Sequence, residues 1–136
     1  QMKTVSSVIK RYKGPVKIEI ESCFSQMRAL VGKTFFFNKN VGVTRGCGAG
    51  RDAVSITVDG EITPCRHIEI EENTKDLMEY WKTSSTVQKL RTVEERMEEP
   101  CSACSLRRNC LPCMAVNLKM NKVLYMGEKT CELWRD

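Results

Sequence analysis

The sequence predicts a small α+β fold organised around metal-binding cysteines. Three observations carry this. Apolar residues recur at helical spacing in some stretches and alternate in others. Asp59-Gly60 joins two alternating runs, the strongest short hairpin signal. Eight cysteines sit in 136 residues of which only 7% are aromatic, and a chain with so thin a core needs staples, either disulfides or metals.

The elements follow in order. Val5, Val8, Ile9 and Tyr12 form one stripe of a helix over residues 2–13, stopped by Gly14-Pro15. VKIEIES alternates Val16, Ile18 and Ile20 and reads as a strand, with Cys23 at its end. FSQMRALVG puts Phe24, Met27, Leu30 and Val31 on one helical face, with Gly32 as the stop. One strand cannot make a sheet, so this helix-strand-helix unit reads as cut from something larger. VSITVDGEITPC is the hairpin. A short helix is expected from Thr74, with Leu77, Met78 and Trp81 apolar. Ser85 and Gln88 read as a capping box opening a helix that carries Val87, Leu90, Val93 and Met97 and ends by Pro100. MAVNLKM reads as a short helix and VLYM as a last strand before Cys131. The texture changes between Gly42 and Gly46, which divides the chain into residues 1–45 and 46–136.

Residues 1–45 carry nine Lys/Arg against two acids, and residues 66–100 carry six against nine. The net charge of +5 therefore belongs to the N-terminal third. No helix-turn-helix or RNP-like signature accompanies it, so the basic residues read as a solvated face and no nucleic-acid partner is expected. No apolar run approaches the roughly 20 residues of a membrane span. The opening QMKTVSSVIK lacks an apolar h-region, so no secretory signal is read and a reducing, cytoplasmic setting is expected. There, clustered cysteines bind metal more often than they pair.

The cysteines are Cys23, Cys47, Cys65, Cys101, Cys104, Cys110, Cys113 and Cys131. Four of them fall within CSACSLRRNCLPC. A C-x2-C turn delivers two sulfurs to one metal while nearby backbone N–H groups offset their charge. Cys101/Cys104 is such a pair, and Cys110/Cys113 has the same spacing. Spacing alone leaves three chemistries open: iron–sulfur clusters, structural zinc held by four thiolates, and disulfides.

Twelve residues separate Cys47 from Gly60, and four separate Gly60 from Cys65 in the phrase DGEITPC. Then come Cys101-x2-Cys104-x5-Cys110 and a distal Cys131. This pattern, with GCGAGRDAVSITVDG and LMEYWKTSSTVQKLR, resembles the SPASM domain, the C-terminal extension of many radical S-adenosylmethionine enzymes. The resemblance covers residues 47–131. One departure stands: two residues, Leu111 and Pro112, separate Cys110 from Cys113, where the family usually has three.

The resemblance implies two auxiliary 4Fe–4S clusters. One would be held by Cys101, Cys104, Cys110 and Cys131. The other would be held by Cys47, Cys65 and Cys113, with its fourth position open or filled by a residue such as Cys23. It implies that residues 1–45 are the end of a partial β/α barrel and residues 46–136 the SPASM domain, an irregular hairpin and short helices around the clusters. It also implies the partners: the radical barrel of a parent chain, a reductant protein, and a peptide or protein substrate that is oxidised or cross-linked. The C-x3-C-x2-C triplet that binds the catalytic cluster is absent from this sequence. No residue here is therefore assigned to catalysis, and the chain alone is expected to be inactive. The runner-up is a zinc module that mediates protein contacts.

Other candidates carry less. His67 reads as a surface or packing residue. GCGAG precedes a strand rather than a helix, which argues against phosphate binding. Its glycines read as letting backbone pass close to a cluster. Asp59 and Glu61 read as turn chemistry. Trp81 and Trp134 read as core or lid residues. Arg66, Arg107 and Arg108 sit near the expected ligands, where they would offset thiolate charge or simply be solvated.

Overall fold

A computed structural model describes the chain at residues 1–32, 40–43, 46–70, 72, 74–124 and 131. It is mixed helix and strand, as expected, and divides into two compact units. The first is Gln1–Cys47, Glu99–Cys113 and the C-terminal segment that holds Cys131; the second is Gly48–Glu98 and Met114–Met126.

In the first unit, helix α1 (Met2–Arg11) leads to strand β1 (Ile18–Ile20), helix α2 (Gln26–Val31) and strand β2 (Val41–Val43). The sequence showed no partner for β1. The structure supplies one: β2 pairs parallel to it, with Ile18 opposite Val41 and Ile20 opposite Val43. The pair is joined through α2, as parallel strands require. VGV is short and glycine-centred, too brief to declare an alternating pattern. Strand β1 is also shorter than VKIEIES suggested, and Cys23 sits beyond it in a 3₁₀ turn, Ser22–Phe24.

The core of this unit is Ile9, Met27, Val31 and Val41, with Met2, Ile18, Ile20 and Leu30 packed against it. Each fully buried member contributes roughly 1.5–3 kcal/mol. The buried stripe of α1 is therefore Met2, Ser6 and Ile9. The expected stripe is corrected: Val5 and Val8 are 51% and 57% exposed. Ser6 escapes the cost of burial by donating to the Lys3 carbonyl at 2.8 Å. Phe24, placed on the α2 face by its spacing, is also exposed. Gly32 stops α2 as expected, with φ +59° and its N–H on the Arg28 carbonyl.

In the second unit, strands β3 (Ser55–Ile56) and β4 (Ile62–Thr63) form the predicted antiparallel hairpin. Gly60 takes φ +81° in its turn, a conformation that L side chains rarely adopt. Helix α3 (Leu77–Thr83) begins later than Thr74, because Asp76 is the cap and accepts the Glu79 N–H at 2.7 Å. Tyr80 is its buried residue, whereas Leu77 and Met78 face outward.

Helix α4 (Ser85–Arg91) is capped by Ser84, one residue before the expected position, through the Val87 N–H at 3.0 Å. Gln88 does not reach back to close a capping box; it donates to the Lys82 carbonyl. The carboxylate at the start of α4 comes instead from Glu72, which accepts from the Thr86 N–H at 3.0 Å. Burial pushes the Glu72 carboxyl up, but hydrogen bonds from Thr86, Ser84 and Ser85 outweigh it and hold the carboxyl below its ordinary range.

Helix α4 ends at Arg91, yet Val87, Leu90, Val93 and Met97 are all buried, as their spacing predicts. The turns after Arg91 keep the same face inward. Tyr80, Ile62 and Val87 form a core, with Val54 packed against it. Trp81 is half-buried, and the Arg91 guanidinium lies 4.4 Å over its ring. Helix α5 (Met114–Asn121) confirms the MAVNLKM reading. The expected strand at VLYM and the role of Trp134 fall largely or wholly outside the described residues.

Candidate metal centre

All eight cysteines are partly buried, and none is in a disulfide. Seven belong to the first unit: Cys23, Cys47, Cys101, Cys104, Cys110, Cys113 and Cys131. Cys65 belongs to the second.

The cysteine-rich loop is wound by successive tight turns. The Cys104 N–H bonds the Cys101 carbonyl, Arg107 N–H the Cys104 carbonyl, and Cys110 N–H the Arg107 carbonyl. Arg107–Asn109 form a 3₁₀ turn. The loop is tied to the rest of its unit at Leu111. The fully buried Ser25 donates its hydroxyl to the Leu111 carbonyl in a short hydrogen bond, and its Oγ lies 3.9 Å from Cys110 Sγ. On another side, a side chain at Gly46 would come within 2.7 Å of Leu111 Cβ, so only glycine fits there. Three separate segments thus meet at one buried leucine: 22–25, 46–47 and 110–113.

Two of the thiols, Cys110 and Cys23, are shifted by burial and by neighbouring sulfurs. Burial pushes the Cys110 thiol up to about 11, opposed by the Ser25 hydroxyl and reinforced by Cys101, Cys131 and Cys104. Burial likewise raises Cys23, reinforced by Cys113 and, more weakly, by Glu21 and Cys47. Like-charged thiolates at close quarters raise one another's pKa. A bound metal removes that repulsion, so the donor set fits a cationic centre. Cys113 immediately precedes α5.

In the second unit, Cys65 Sγ accepts the His67 N–H at 3.4 Å, the backbone-to-sulfur contact expected around thiolate ligands. Among the described residues, no three Cys, His, Asp or Glu side chains are drawn in tightly enough to hold one metal ion.

The remaining candidates take ordinary roles. Arg66 Nε donates to His67 Nε2 at 3.0 Å, and both side chains are exposed. Arg107 and Arg108 are exposed in the 3₁₀ turn. The glycines of GCGAG serve packing and turning. A side chain at Gly48 would strike the Asp52 carboxylate, and Gly50 takes φ +69° beneath Leu90. The second unit also holds a groove of ≈ 970 Å³ between the hairpin and residues 66–75, lined by Ile56, Thr57, Ile62, Arg66, Glu69 and Lys75 among others.

Residues 47–105 match the family model of SPASM, an iron-sulfur cluster-binding domain. This segment is a SPASM domain. The match assigns iron–sulfur cluster binding to this segment, a chemistry that spacing alone had left open beside zinc and disulfides. The SPASM match takes in Cys47, Cys65, Cys101 and Cys104. Cys110, Cys113 and Cys131 lie beyond the matched span. No curated protein and no solved structure matches the chain significantly.

Sequence reasoning missed Ser25 as a support of the SPASM cysteines. Its signal, a serine beside a helix start, is indistinguishable from an ordinary cap until the fold brings Leu111 to it. Ser25→Ala leaves a buried carbonyl without its donor, a cost of about 1–3 kcal/mol. The expected result is a lower thermal midpoint together with faster loss of visible absorbance from loaded protein. An unchanged midpoint would show that the Leu111 carbonyl finds another partner.

Proposed function

We propose that this chain is the auxiliary-cluster part of a radical S-adenosylmethionine enzyme, holding two 4Fe–4S clusters for electron relay or substrate seating. The observation that carries it is the SPASM match over residues 47–105, whose Cys47, Cys101 and Cys104 share the first unit with Cys23, Cys110, Cys113 and Cys131. One site takes Cys101, Cys104, Cys110 and Cys131. The other takes Cys47, Cys65 and Cys113. When bound, the clusters supply one-electron chemistry. The residues of this chain bind them and, through Ser25, fix the loop that carries Cys110 and Cys113.

Residues 1–45 are read as the end of the parent's partial β/α barrel. The parallel β1–β2 pair joined through α2 supports this, as do the exposed Val5, Val8 and Val16, which a larger barrel would cover. The expected partners are that barrel, a reductant protein and a peptide or protein substrate, in a reducing, cytoplasmic setting. The groove beside the hairpin is a seat for an extended peptide. Among the described residues, no helix is long and apolar enough to cross a membrane.

Because the sequence lacks C-x3-C-x2-C, the chain alone is expected to bind clusters and yet fail to cleave S-adenosylmethionine. Cleavage needs an open iron and a scaffold that orients the cofactor's sulfonium toward it. A misplacement of about 1 Å costs on the order of a hundredfold in rate. The assay is dithionite-reduced, cluster-loaded protein with S-adenosylmethionine, followed by chromatography for 5′-deoxyadenosine. Background levels are expected. Multiple turnovers would give the chain its own radical-generating site and end the auxiliary reading.

A further inference from the structure

We propose that Cys23 is a ligand of the iron–sulfur site that holds Cys47 and Cys113, a role that rests on the cluster-binding reading above. The family match begins at Cys47 and does not reach it. The geometry does. Strands β1 and β2 run parallel, with Ile20 opposite Val43, so the segments that leave them start from the same edge of the sheet. Cys23 comes three residues after β1 and Cys47 four residues after β2. The carboxyl edge of parallel strands is where α/β units place their ligands.

Both segments then close on Leu111. Ser25, two residues past Cys23, bonds its carbonyl, and Gly46, next to Cys47, packs against its side chain. Cys113 is two residues further along the same loop. Each of the three cysteines is thus within two residues of one contact point. A cysteine that merely filled space would be sealed among apolar side chains. Cys23 is only half-buried and stands outside the cluster of Ile9, Met27, Val31 and Val41. On binding iron, its thiol gives its proton to solvent and its sulfur a lone pair to the metal, with no change of oxidation state.

The test is anaerobic alkylation of the whole chain with iodoacetamide, scored cysteine by cysteine by mass spectrometry, with and without reconstitution by iron and sulfide. In loaded wild type, Cys23 should be protected together with Cys47 and Cys113. It should become reactive in Cys113→Ser but stay protected in Cys131→Ser. In parallel, reconstituted Cys23→Ser should either lose about one cluster's iron or show one altered iron by Mössbauer spectroscopy. Cys23 alkylated as fast in loaded as in unloaded wild type, with Cys47 and Cys113 protected, overturns the proposal alone. A wild-type Mössbauer spectrum and iron content in Cys23→Ser overturn it too. If no cysteine is protected and no iron is retained, the cluster-binding reading falls and the proposal falls with it.

Discussion

Replacing Cys131 with serine is expected to remove about one cluster's iron per chain while leaving the other site loaded, and replacing Cys47 should do the reverse. Cys131 reaches Cys110 electrostatically, in the set that also includes Cys101 and Cys104. Cys47 reaches Cys23, in the set that includes Cys113. A thiolate lost from a four-iron cluster exposes one corner to solvent, and an incomplete cluster sheds iron readily. The two variants should therefore lose different spectroscopic species, read by electron paramagnetic resonance after reduction. Both losing the same species would refute this partition of ligands.

The second large effect concerns folding. Stripped of metal under reducing conditions, residues 46–136 are expected to lose cooperative melting and much of their circular dichroism. Among the described residues, the apolar cluster of the cysteine-bearing unit, Ile9, Met27, Val31 and Val41, lies on elements before residue 46. The loop from Cys101 to Cys113 holds one 3₁₀ turn, and Leu111 is its main apolar anchor. Metal-linked folding in small modules is on the order of 10 kcal/mol, comparable with the whole stability of an ordinary domain. The helices α3 and α4, packed through Tyr80 and Val87, are the part expected to persist longest. Unchanged secondary structure with cooperative melting after chelation would show that apolar packing suffices.

The hairpin, α2 and the buried face Val87-Leu90-Val93-Met97 were legible in the sequence, because local periodicity and a single Asp-Gly turn decide them. The misses share a cause: each depends on a partner distant in the chain. β2 is readable only once β1 lies beside it. The buried side of α1 is chosen by Met27 and Val31, not by the apolar residues with the clearest spacing. The cap of α4 moved from Ser85 to Ser84 because Glu72, twelve residues upstream, supplies the carboxylate that a local capping box would have supplied. The cysteine spacing was legible as a candidate ligand pattern, but Ser25 and Gly46, which brace the loop through Leu111, were not.

The most direct measurement is the iron, acid-labile sulfide and zinc content of the whole chain after anaerobic purification, alongside its visible spectrum. The account predicts iron and sulfide in near-equal amounts, about two four-iron clusters per chain, with broad visible absorption that bleaches on reduction. Stoichiometric zinc with neither sulfide nor visible absorption, persisting after attempted iron and sulfide reconstitution, would contradict it.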